Sequence, residues 1–123
     1  MHKRATHLLD SEFTKIVKEA INYNNLNRYF LPIGADFQNI ESHLHLKPNL
    51  QEIEKDKISS GGLKLSHAQR RMLIFIVALW DGREADRIFE EGIGSLSKMI
   101  HSMDRDNKEL LADLIVTYPG WGT

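Results

Sequence analysis

Ser66-His67-Ala68-Gln69-Arg70-Arg71-Met72-Leu73-Ile74-Phe75-Ile76-Val77-Ala78-Leu79-Trp80 is the stretch that decides the architecture of this chain. Ser66 and Gln69, three residues apart, have the spacing of a capping box. In that arrangement two side chains take backbone N–H groups that the first helical turn leaves unbonded. The run from Met72 to Trp80 is apolar almost all round. A surface helix would keep a polar face, so the pattern predicts a buried central helix over 66–80. Ile74 to Val77 also has strand propensity, but the cap and the helix-forming flanks favour the helix.

Working outward, Phe13, Ile16, Val17, Ala20 and Ile21 recur at the spacing of one helical face, with Asp10 or Ser11 as the expected cap. The stretch from Asn22 to Asn27 weakens that helix, and Leu31-Pro32-Ile33-Gly34 is expected to break it. Phe37, Ile40 and Leu44 predict a second short helix, capped near Asp36 and stopped before Pro48. Asn49 with Glu52 resembles a capping box for a third. Ser59-Ser60-Gly61-Gly62 reads as a flexible connector between two halves, each too small for a domain, so one helical domain over 1–123 is expected. On the far side, Asp81 and Glu84 predict a helix that buries Ala85, Ile88 and Phe89 and ends near Gly92. Leu96, Met99, Ile100 and Met103 form a further amphipathic stretch. Asp104 or Asp106 caps a last helix whose apolar face holds Leu110, Leu111, Leu114, Ile115 and Tyr118. The expected fold class is therefore all-α: an irregular multi-helix bundle of about five to seven helices packed around the 66–80 helix.

Composition narrows the function. The chain has 123 residues, with 16 Lys and Arg against 17 Asp and Glu. That balance gives no general attraction to nucleic acid or to an anionic membrane. Cysteine is absent, which excludes disulfides, thiolate metal sites and a Cys nucleophile, and fits a reducing cytoplasmic location. Asp10 and Glu12 cut short the apolar stretch after the basic Lys3-Arg4, so no signal peptide is expected. The Met72–Trp80 run is too short to span a membrane.

Candidate chemistry is sparse. Of the histidines, His2, His7, His43, His45, His67 and His101, only His43 and His45 stand close together. Glu41 and His45 would share a helical face, but no third ligand follows, and neither a metal nor another cofactor is expected. Ser66-His67 point apart on a helix and no nucleophile elbow exists. Asp104-Arg105-Asp106-Asn107 begins like a calcium loop but lacks the required glycine and terminal acid, since Glu109 and Ile115 hold those positions. Glu90-Glu91 reads as a solvated face. Ser60-Gly61-Gly62-Leu63-Lys64 lacks the phosphate-loop spacing. None of these patterns is specific to a known family.

Two binding readings remain. The helices over 66–91 succeed one another like a helix–turn–helix. Lys64, Arg70 and Arg71, with the Lys3-Arg4 segment, are its nucleic-acid contact candidates. Against it, Glu84, Asp86, Glu90 and Glu91 outweigh Arg87 on the second helix and would repel phosphate. Tyr118 and Trp121 flank a Pro-Gly turn that cannot continue the last helix, and large aromatics there predict docking, either onto the chain's own core or onto a partner. The favoured expectation is a non-enzymatic protein-interaction module, with Tyr118 and Trp121 as contact candidates and a protein partner or homodimer formed over a half-covered central helix. The alternative is a nucleic-acid-binding regulator. A small hydrolase or metal enzyme built on His43, His45 or His67 is the third class.

Overall fold

The computed structural model describes residues 6–90 and 96–121. Among them stand seven α-helices: α1 (Thr6–Tyr23), α2 (Ala35–Gln38), α3 (Leu50–Ile58), α4 (His67–Trp80), α5 (Gly82–Ile88), α6 (Leu96–Ser102) and α7 (Arg105–Thr117). Short 3-10 turns cover Asn27–Tyr29 and His43–His45. A two-residue antiparallel pair joins β1 (Phe30–Leu31) to β2 (Lys47–Pro48), with Phe30 opposite Pro48. The fold is all-α and multi-helical.

The 66–80 helix forms as its cap dictates. The Gln69 N–H donates to Ser66 Oγ at 3.1 Å and the Ser66 N–H donates to Gln69 Oε1 at 2.9 Å, satisfying two otherwise orphaned donors. Met72, Leu73, Ile74, Ile76 and Val77 are buried, and every residue from Ala68 to Trp80 is at least half-buried. Helices α1, α5, α6 and α7 and strand β2 all pack against it. The chain covers its own central helix, which removes the uncovered face that suggested a homodimer.

α1 is longer than its predicted cap allows, because Asp10 and Ser11 lie inside it. Its end is a left-handed C-terminal motif. Asn25 adopts φ 56°, the Asn25 N–H donates to the Asn22 carbonyl and the Leu26 N–H to the Ile21 carbonyl. These are the two bonds of a Schellman closure, and Asn tolerates the left-handed residue between them. The helix therefore stops well before Pro32.

The predicted helix over Phe37–Leu44 is instead split. α2 spans four residues after Gly34 (φ 64°), with Asp36 inside it rather than capping it. The Lys18 ammonium donates to the Gln38 and Ile40 carbonyls at 2.7 and 3.0 Å, so the chain leaving α2 hangs on α1 instead of continuing helically. Glu41 and His45 consequently share no helical face. Asn49 does cap α3, accepting from the Glu52 N–H. The reciprocal half of that box is absent among the described residues: the Asn49 N–H donates to the Tyr29 carbonyl, and Glu52 pairs with Arg28. Residues 59–62 lead to α4 through Gly61 and Gly62, both at positive φ, a conformation glycine adopts without strain.

Asp81 ends α4 and starts α5. Its N–H donates to the Val77 carbonyl and its carboxylate accepts from the Arg83 and Glu84 N–H groups. α5 stops at Ile88, earlier than predicted, because the Lys57 ammonium takes the Ile88 carbonyl and Phe89 turns fully into the core. Gly92 lies outside the described residues. One hydrophobic cluster joins both halves, from Phe13, Val17 and Ile21 through Met72 and Ile76 to Leu114 and Trp121.

A polar knot sits where the ends of three helices meet. The Asn24 and Asn107 side-chain amides exchange hydrogen bonds at 2.8 and 2.9 Å. Asn24 also donates to the Ala20 carbonyl, Asn107 to Asp104 Oδ1, and Gln69 Nε2 to the Asn24 carbonyl. Both asparagines are 2% exposed, and burial is tolerable because their amides are bonded.

Candidate functional site

α7 lies along α1, with Asn107, Leu110, Leu114 and Thr117 facing inward. Its opposite face changes character along its length. The first half shows Arg105, Lys108 and Glu109 to solvent. The second half shows Ala112, Asp113, Ile115 and Val116; the three apolar ones are spaced i, i+3 and i+4 and so contiguous on one helical face, with Asp113 at its edge. Ile115 is 60% and Val116 73% exposed. The helical periodicity puts Ile115 on the buried face, but an apolar stripe broader than the core contact carries no local sign of which edge stays outside.

Beyond the helix, Tyr118 is 36% exposed and its hydroxyl donates to the Leu79 carbonyl at 2.6 Å. Trp121 is buried in the protein's own core, with its indole N–H donating to the Leu46 carbonyl at 3.1 Å. Phe13 is the common floor. Its ring lies 5.4 Å from Tyr118, 5.5 Å from Trp121 and 5.0 Å from His43, each edge to face, the arrangement that ring quadrupoles prefer. His43 is itself buried and its Nε2 donates to the Gly120 carbonyl at 2.8 Å, so it serves as a fastener. Nothing near His43 in the sequence signals this role, because the bond spans 77 residues; its spacing from His45 suggests only metal chemistry. A notch of about 620 Å³ opens beside Tyr118, lined by Ala78 to Arg83. A larger open groove of about 1040 Å³ follows α1 between Ser11 and Tyr23 and takes in Ile40 and Glu41.

The nucleic-acid candidates are not brought into an exposed basic stripe. The Arg70 guanidinium stands 5.9 Å above the Phe89 ring, and Arg71 is half-buried. Lys64 is exposed at a separate polar cavity beside Arg28 and Asp56. On α5, Arg87 is held between Glu84 and Glu54. Lys3, Arg4 and Glu91 lie outside the described residues, as does His2. His45, His67 and His101 are exposed, and among the described residues no three His, Asp or Glu side chains are grouped to hold a metal. No described helix is long and apolar enough to cross a membrane. Compared with known proteins, the chain matches no family model, no curated protein and no solved structure.

All three tyrosines are held above the ordinary phenol value of 10.0. Tyr23 is pushed up to about 12, chiefly by its hydrogen bond to Asp104. Tyr29 is also pushed up to about 12, by burial and then by its bond to Asp56. Burial raises Tyr118. A folded value above the unfolded one stabilises the protein fully below pH 10, and that contribution is lost as pH rises toward 12. Tyrosinate absorbance in an alkaline titration is therefore expected to reach its midpoint clearly above pH 10, with loss of helical circular dichroism in the same window. A midpoint at the ordinary value would contradict these contacts.

Proposed function

We propose that this protein acts by binding another protein, without chemistry of its own, through the outer face of the C-terminal half of α7. The observation that carries the reading is the exposure of Ile115 and Val116 side by side with Ala112, next to the half-exposed Tyr118. Burying an aliphatic side chain of this size contributes roughly 1.5–3 kcal/mol, so such a face gains free energy when a complementary surface covers it. The partner is a different protein or a second copy of the chain. Absence of cysteine goes with a cytoplasmic setting. The placement of Arg70 and Arg71 against their own fold lends no support to a nucleic-acid role.

The test compares the wild-type chain with Ile115→Glu/Val116→Glu. Both sites are solvent-exposed, so the double variant is expected to keep its helical spectrum and to lose no more than about 1 kcal/mol of stability. Sedimentation reads self-association, and affinity capture from the native cell extract reads other partners. Wild type should engage one protein stoichiometrically and the double variant should lose it. Equal capture by both would remove the α7 face as the contact. Nuclease-sensitive nucleic acid held equally by both, with no protein, would overturn the reading.

A further inference from the structure

We infer that residues 118–121 form a detachable strap, which opens as a unit while the helices beneath it stay folded. Helices and strands are held by backbone ladders, but this segment is not. Among the described residues, no backbone–backbone hydrogen bond ties Pro119, Gly120 or Trp121 to the fold. Pro119 has no N–H to offer, and Gly120 turns the chain at φ 93°. Side chains fasten the strap instead: Tyr118 Oη to the Leu79 carbonyl, His43 Nε2 to the Gly120 carbonyl and Trp121 Nε1 to the Leu46 carbonyl. Phe13 and His43 supply the ring contacts.

Each anchor belongs to an element with its own backbone bonding. Phe13 is in α1, Leu79 in α4 and His43 in the 3-10 turn that Leu46 follows. Lifting the strap therefore breaks no helix and no strand pair. Segments with few backbone bonds open at lower free energy than the core they rest on. Opening uncovers the Phe13 face and frees one imidazole N–H donor and two carbonyl acceptors, at Leu46 and Leu79. Tyr118 also borders the α7 docking face, but opening of the strap needs no partner and is read on the isolated protein.

Native-state hydrogen exchange on the full chain tests it. The Trp121 indole N–H is followed by NMR as a function of urea, its signal distinguished from that of Trp80 by a spectrum of Trp80→Phe. A strap predicts a protection factor at least roughly tenfold below that of the slowest α4 amides, because opening is local. It also predicts a urea slope less than about half of theirs, because opening exposes little surface. A slope near that of the α4 amides would mean that the segment leaves only when the whole molecule unfolds, and would overturn the proposal.

Discussion

Trp121→Ala is expected to lower the free energy of unfolding by about 3–5 kcal/mol, the range for truncating a large buried aromatic. The side chain is 5% exposed, so its removal leaves a cavity between Phe13 and His43, which lie 5.5 and 5.4 Å from its ring. The Leu46 carbonyl also loses its donor. Trp121→Phe separates these contributions. It keeps an aromatic ring against Phe13 and removes the N–H, so it should cost roughly 1–3 kcal/mol, most of it for the acceptor left unbonded. Urea unfolding followed by circular dichroism measures both. The strap sets an upper bound on the first number: a chain whose strap has lifted no longer feels position 121, so the loss cannot exceed the free energy of docking residues 118–121. A loss under about 1 kcal/mol for Trp121→Ala would mean that the indole does not hold the segment down.

The second large effect belongs to the paired asparagines. Asn24→Leu or Asn107→Leu alone should cost about 2–4 kcal/mol, because each leaves the other amide buried with broken bonds. Replacing both removes the orphaned groups together. The double variant should therefore be less destabilised than the sum of the single changes, with a coupling of roughly 1–3 kcal/mol. A double-mutant cycle by urea unfolding reads this directly. Additive losses would show that the two amides do not act as a pair. The remaining bonds of Asn24 to the Ala20 carbonyl and of Asn107 to Asp104 predict that the double variant still falls short of wild type.

How far each feature was legible depends on the range of the forces behind it. Ser66 and Gln69, Asn49 and Asp81 announced helix starts that the structure contains, because a cap is a contact between residues two or three apart. The same logic misled at Asp10 and Asp36. Both have cap chemistry, yet each lies inside a helix, since a cap-forming side chain does not oblige the backbone to begin there. The pair Phe30–Leu31 and Lys47–Pro48 left no trace in the sequence, because two residues are too short for a period-2 pattern. The candidate site was legible only in part. Tyr118 and Trp121 stood out as aromatics that needed a surface, but Ile115 and Val116 were exposed by the way α7 turns against α1.

Capping bonds and amphipathic periodicity act within a few residues, so the all-α class, the helix starts after Asn49, Ser66 and Asp81 and the buried character of 66–80 follow from the chain alone. Asn24 meets Asn107 across 83 residues, His43 holds Gly120 across 77 and Trp121 reaches Leu46 across 75 only once the chain has folded. Those pairings follow from how the helices pack, and each closes a long loop whose ends carry no local sign of one another.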